Sequence, residues 1–332
     1  MDKKVALALA SGGPRGFAYI GAIEELQERG YEISSVAGAS AGSLVGGIFA
    51  AGGLDAFRDW LYALDPMKVV SLMDFSISRN YLVKGEKVIN AIKERVPNVN
   101  IEDLPIPFCA VATDLHTGEE VIFREGPLFD AIRASISIPS MFRPVRWQGR
   151  TLVDGGMVNT FPLNRVQRTS GDILVGFNVN QIDADEIRAY LQTRAQAQQA
   201  EQQIRHEALE ALRDGVSVQP SALLEKARKV GAKGGQLLKA QKQMRKLESD
   251  GRENWIPVGA DDTYFTILQR SFGIMNCSIA RQGIEICPPD ILVSLPFDSY
   301  HGVYGYSHAK EIAAVGRKLM ADALDQYEKA HE

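Results

Sequence analysis

Val5-Ala6-Leu7-Ala8-Leu9-Ala10-Ser11-Gly12-Gly13-Pro14-Arg15-Gly16 and, further on, Ile33-Ser34-Ser35-Val36-Ala37-Gly38-Ala39-Ser40-Ala41-Gly42 share one design. Each is an apolar run that empties into a glycine turn. The run 5–10 carries no charge, as a strand buried on both faces requires. Between the two runs, Phe17, Tyr19, Ile20, Ile23 and Leu26 recur at helical spacing until Gly30 stops the helix. After the second strand, over 33–37, a helix of small residues leads to Gly52-Gly53. Strand, crossover helix and parallel strand form a right-handed βαβ unit. Both glycine turns therefore fall at the carboxyl edge of one parallel sheet, where α/β proteins place their ligands.

Composition narrows what such a sheet can serve. The chain has 332 residues and a net charge of −4, an acidic balance that speaks against a nucleic-acid binder. Three cysteines, Cys109, Cys277 and Cys287, stand far apart, which excludes a disulfide scaffold and a CxxC zinc site. Lys3-Lys4 followed by six apolar residues imitates a signal peptide, but the run is too short. The charge-free stretch 33–54 is long enough to span a bilayer, yet ten of its residues are Gly or Ser. The expectation is a cytoplasmic protein without signal peptide or transmembrane helix, with peripheral membrane contact left open.

Further strands are expected over 107–114, 121–124, 151–154 and 173–179, with helices over 86–96 and from 130. The segment 65–83 is irregular and apolar in patches (Val69, Leu72, Phe75), fitting a wall for an acyl chain, a membrane-facing cap or ordinary core. Residues 183–254 change character: Gln, Ala, Lys and Arg dominate, and 215–220 reads as the turn of a helical hairpin. Its second arm, Lys226 to Lys246, holds no acid and has an apolar stripe. Such an arm can dock on anionic lipid. The preferred reading is a solvated helix whose stripe packs on its partner helix or on a second subunit.

Gly38-x-Ser40-x-Gly42 between strand and helix is the most informative motif. A serine there is held in a strained backbone that pushes its hydroxyl out of the sheet edge. The Gly12-Gly13-x-Arg15-Gly16 turn lets backbone N–H groups converge on an anion, as an oxyanion hole requires. It is neither GxGxxG nor a P-loop, and no acid ends the second strand, so a nucleotide site is disfavoured. Arg15 opposes the helix dipole and serves either water and helix packing, the preferred reading, or an anionic group. As a base, His301 and His308 would suit α/β-hydrolase order, but one strand before Ser40 is too few. His116, His206 and His331 offer nothing better. Asp154 ends a strand and precedes Gly155-Gly156, which fits either a base at the sheet edge or a plain turn residue.

The constellation resembles the patatin-like phospholipases, lipid acyl hydrolases with a Ser–Asp dyad. The glycine loop 12–16, the elbow 38–42, Val111-Ala112-Thr113-Asp114, Ala134-Ser135-Ile136-Ser137-Ile138-Pro139, Asp154-Gly155-Gly156 and Asn159-x-x-Pro162 carry the likeness in order. It implies a three-layer α/β/α fold with a mostly parallel sheet. The α-helical hairpin insertion lies outside the common core. The expected division is 1–182 and 255–332 for the core and 183–254 for the insertion. By the resemblance Ser40 is the nucleophile and Asp154 its base. Gly12, Gly13, Arg15 and Gly16 then form the oxyanion loop, with Gly38, Gly42, Gly155 and Gly156 shaping the turns. No metal or cofactor is implied, the substrate is a phospholipid or lysophospholipid, and a homo-oligomer through the insertion stays open. The alternatives are a small-ester or thioester hydrolase on the same dyad, or a non-catalytic scaffold.

Overall fold

In the computed structural model the residues described are 3–76, 81–182, 264–297, 300 and 305–331, with scattered helical positions between 184 and 206. The hairpin turn at 215–220 and the basic arm Lys226 to Lys246 lie outside them. The chain divides into two compact units, 1–182 with 258–332, and 183–257.

The first unit opens with β1 (Lys4–Leu9), α1 (Ala18–Glu28), β2 (Glu32–Ala39), α2 (Ala41–Ala50), α3 (Leu54–Tyr62) and α4 (Pro66–Leu72). Then come β3 (Tyr81–Val83), α5 (Glu86–Lys93), β4 (Phe108–Asp114), β5 (Glu120–Phe123), α6 (Leu128–Ser135), β6 (Ser140–Phe142), β7 (Val145–Trp147), β8 (Arg150–Asp154) and β9 (Ile173–Gln181). After the insertion, α7 (Tyr264–Ile286), β10 (Ile291–Pro296) and α8 (Ala309–His331) complete it.

Among the described residues the main sheet has the order β10-β9-β1-β2-β4-β8-β7, with β5 also paired to β4. The ladders β10–β9, β9–β1, β1–β2 and β2–β4 are parallel; β4–β8, β7–β8 and β4–β5 are antiparallel. Alternation along β1 shows why it lies at the centre. Val5, Leu7 and Leu9 enter one core with Ile20, Ile23, Val45 and Ile312 from α1, α2 and α8. Ala6, Ala8 and Ala10 face a second core with Phe161, Leu163 and Ala280 of α7. Small residues on that face leave room for the Phe161 ring. Both faces are covered, which explains the unbroken apolar run and makes the fold three-layered, α/β/α.

One detail departs from the expected edge geometry. β8 runs antiparallel to β4, so its last residue lies level with the body of the sheet instead of projecting past a carboxyl edge. That orientation is why Asp154 is buried, at 4% exposure.

Candidate active site

The register across β4 assembles the site. Ala39 of β2 pairs with Val111, and the next residue of β4, Ala112, pairs with Asp154 of β8. Ser40 follows Ala39, so Ser40 and Asp154 stand at one level on either side of β4. A central strand flanked by one parallel and one antiparallel partner thus brings together groups 114 positions apart.

Ser40 caps α2 with φ 52° and ψ −120°, a conformation a non-glycine residue adopts at a cost of about 1–3 kcal/mol. Local bonds hold it there. Its N–H donates to Ser135 Oγ at 2.8 Å, and Ser135 Oγ donates to Val111 O at 2.6 Å. The Ser43 hydroxyl donates to Ser40 O at 2.6 Å. Gly42 shows why the elbow needs glycine: a Cβ there would lie 2.2 Å from Leu9 O of β1. Gly38 is pressed as closely on Gly42 itself.

Asp154 is positioned by its backbone: its N–H donates to Ser137 O at 3.0 Å, and its carbonyl accepts from Thr113 Oγ1 at 2.9 Å. Oδ1 accepts from the Gly156 N–H at 2.7 Å, the bond that Gly155-Gly156 makes possible. Oδ2 is buried and has no hydrogen-bond partner among the described residues. Burial pushes the carboxyl pKa up to about 6, against the smaller lowering effects of the Ser40 side chain and the Gly156 N–H. Ser40 therefore lies near enough to favour the ionised acid, although no hydrogen bond of standard geometry joins them. Such contacts commonly tighten only once substrate binds.

The glycine loop runs beside the pair. Gly13, with φ +57°, opens a 3-10 turn, Gly13–Phe17, that leads into α1. The first N–H groups of such a turn have no acceptor within it and can face an anion. Gly16 lies against Ala41, the residue after Ser40. The preference for water at Arg15 is overturned. Its side chain is 6% exposed; Nε donates to Val179 O at 3.0 Å, Nη1 to Phe297 O at 2.8 Å, and the guanidinium lies over the Phe297 ring. The cation ties the loop to the ends of β9 and β10, and its backbone remains part of the turn. Asn180 adds a second tie, its Nδ2 donating to Ser11 O at 2.6 Å.

The histidines engage elsewhere. His116 Nε2 meets Thr151 Oγ1 at 3.1 Å and His331 Nδ1 meets Tyr327 O at 2.8 Å, while His308 Nδ1 lies 3.3 Å from Ser307 Oγ; His301 falls outside the described residues. Among the described residues no group of three or more His, Cys, Asp or Glu side chains is arranged to hold a metal ion. Nor, among them, is any helix long and apolar enough to cross a membrane.

A sequence model of the Patatin-like phospholipase family matches residues 7–166, the stretch that carries the elbow, the loop and Asp154. An uncharacterized NTE family protein of Mycobacterium tuberculosis is 34% identical over 337 residues, covering 98% of this chain and 92% of the relative. The chain belongs to the patatin-like phospholipase family. Two further relatives match part of the chain. The Lysophospholipase NTE1 of Mycosarcoma maydis is 31% identical over 193 residues, 56% of this chain and 10% of that protein. A patatin-like phospholipase domain-containing protein of Caenorhabditis elegans is 29% identical over 193 residues, 56% of this chain and 14% of that protein. At family level the chain is thus a lipid acyl hydrolase with a lipid substrate.

Within this patatin-like site, sequence reading left several residues without a role. Ser135 belongs to the stretch Ala134–Pro139, but its use as the acceptor for the Ser40 N–H follows only from α6 packing on β4. Asn180, Phe297 and Tyr306 come from the far end of the sheet and the segment after the insertion. None sits in a motif; their signal is tertiary.

Proposed function

We propose that the protein is a serine acyl hydrolase of phospholipase A or lysophospholipase type, with Ser40 as nucleophile and Asp154 as base. The observation that carries this reading is the level placement of a strained serine and a buried carboxylate across β4, the carboxylate keeping one oxygen unpartnered. Ser40 Oγ attacks the ester carbonyl carbon while its proton passes to Asp154 Oδ2. The carbonyl oxygen becomes an oxyanion facing the N–H groups of Gly12, Gly13 and Arg15, with Gly16 closing the turn. Collapse breaks the ester C–O bond, and the proton on Asp154 goes to the leaving alcohol. Water then attacks the acyl carbon and gives a proton to Asp154; the bond between the acyl carbon and Ser40 Oγ breaks, Asp154 passes that proton to Ser40 Oγ, and the fatty acid leaves.

An ordinary carboxylate is a weak base toward an alcohol. Burial that lifts the Asp154 pKa to about 6 makes it a stronger one while leaving it ionised at neutral pH. The N-terminus of α2 favours the alkoxide on Ser40. Covalent labelling by a fluorophosphonate tests the reading: wild type takes label at Ser40, Ser40→Ala takes none, and Asp154→Asn is labelled far more slowly. Absence of label on folded wild type would sink it. The acid limb of kcat/KM falls tenfold per pH unit below about 6. An acyl-length series separates the lipid reading from a small-ester or thioester hydrolase.

Lipid contact is proposed for the segment around α4 and β3. Met67, Val70, Phe75 and Leu82 are exposed there, and α4 packs against the turn Tyr306–His308 beside the glycine loop. The division at 183–254, and oligomer contact through it, stay proposals on composition alone.

A further inference from the structure

The segment entering α8 reaches the glycine loop. Gly305 leaves no room for a Cβ, which would fall 2.6 Å from Tyr300 O and 2.8 Å from Pro14 Cγ, so its backbone is seated on the loop. The next residue, Tyr306, begins the turn Tyr306–His308. Its ring meets Phe17 edge to face, with centroids 5.8 Å apart and planes at 74°. These contacts aim the phenol along the loop: its Oη lies 3.9 Å from the point a Cβ on Gly13 would occupy. The charges that act on the phenol are Asp154 and Arg15. Packing alone does not call for that oxygen, since a phenylalanine would meet Phe17 equally well. Tyr306 is only partly buried, so its hydroxyl stays within reach of a bound ligand.

We infer that Tyr306 is a further catalytic residue of this site, its hydroxyl donating a hydrogen bond to the carbonyl oxygen of the bound ester beside the backbone N–H groups of the Gly12–Arg15 loop. The inference rests on the Ser40–Asp154 reading and adds to it a side-chain donor brought from beyond the insertion. No proton is transferred in this role; the O–H holds the carbonyl oxygen more strongly as negative charge collects on it. Burial, and then the negative charge of Asp154, push the phenol pKa up to about 12, so the donor keeps its proton throughout the working range.

Tyr306→Phe in the full chain tests it, because the ring contact with Phe17 survives and only the donor is lost. The readouts are kcat and KM on a soluble acyl ester, the rate of fluorophosphonate labelling at Ser40, and the melting temperature. Loss of one oxyanion donor predicts a fall in kcat of about 10²-fold, with KM and melting temperature unchanged. Labelling slows by a comparable factor, since phosphonylation builds charge on the same oxygen. Kcat and labelling rate both within about twofold of wild type would overturn the role. So would a fall in kcat that disappears once rates are divided by the titrated fraction of active sites, which marks a purely structural residue. If wild type itself takes no label at Ser40, the dyad reading has failed; if it labels normally and Tyr306→Phe is silent, only the tyrosine's role has.

Discussion

Residues 5–166 and residues 264–331 reach the same sheet edge by different means. The first stretch does so with short turns in which nearly every residue is constrained: a serine at φ 52°, glycines against backbone, an aspartate with one bonded oxygen. The second does so with two long helices and a strand, and offers a backbone carbonyl from Phe297 and a phenol from Tyr306. Reacting groups need unusual local conformations, which only particular residues tolerate. A backbone carbonyl that braces a loop, as that of Phe297 does, need only be present at the right distance, and any residue type can supply it.

The sharpest way to break this contrast is at the reacting groups themselves. In the proposed mechanism Ser40→Ala and Asp154→Asn each remove an atom that takes part in bond making, and each is expected to lower kcat by about 10⁴-fold or more. Both proteins should keep the wild-type circular dichroism spectrum, because neither side chain holds strands together. An Ala variant that retained a tenth of the activity would shift the chemistry away from the first stretch altogether.

Next in size is the link between the two stretches, Arg15. Arg15→Met keeps the length and loses the charge, leaving Val179 O and Phe297 O without the guanidinium. Removing one partner from buried, charge-assisted bonds costs about 3–5 kcal/mol. Urea unfolding should show the midpoint falling accordingly, with Arg15→Lys only partly better, since an ammonium lacks the planar fork that spans both carbonyls. An unchanged midpoint would mean that the second stretch does not brace the loop.

Asp154 offers a test in which activity and stability move in opposite directions. Its folded pKa of about 6 lies above the ordinary unfolded value of about 3.9, so folding favours the protonated acid. Below pH 4 both states carry the proton and nothing is lost. Between about pH 4 and 6 the unfolded state gives up its proton while the folded state holds it, so stability falls by about 3 kcal/mol in all and stays at that lower level to pH 8. Asp154→Asn has no such loss. Unfolding curves of the two proteins should therefore lie close together at pH 4 and separate at pH 8, with the inactive variant the more stable.

How much of this was legible follows from the same contrast. Val5 to Leu9 announced a strand buried on both faces because its pattern is local, and Gly38-x-Ser40-x-Gly42 announced a strained elbow for the same reason. Asp154 could be picked as a strand end before a double glycine, but its antiparallel entry could not, since a five-residue strand does not encode its direction. Arg15 reads as solvent-facing in the sequence because a lone arginine beside a helix start usually faces solvent. Its two acceptors lie 164 and 282 positions away and leave no trace nearby. Tyr306 was invisible on similar grounds: it becomes informative only when Gly305 is seen resting on Pro14.

The smallest expected effects concern α4 and the residues just after it, where one short segment divides between the two kinds of role. The sequence left Val69, Leu72 and Phe75 open as core, acyl wall or membrane cap, and burial separates them. Val69 is 6% exposed and packs inward, whereas Phe75 is 64% and Met67 82% exposed. Val69→Ser should cost about 2 kcal/mol, from lost apolar burial and an introduced hydroxyl, and leave vesicle binding of the folded protein intact. Met67→Ser with Phe75→Ser should shift the unfolding midpoint by no more than about 0.5 kcal/mol. The pair should instead weaken co-sedimentation with phospholipid vesicles and slow hydrolysis of vesicle-borne substrate, while a short soluble ester is cleaved at the wild-type rate. Equal losses on both substrates would place these side chains in the path of every acyl group. No loss on either would leave the exposed apolar surface near the Tyr306 turn without a part in reaching lipid.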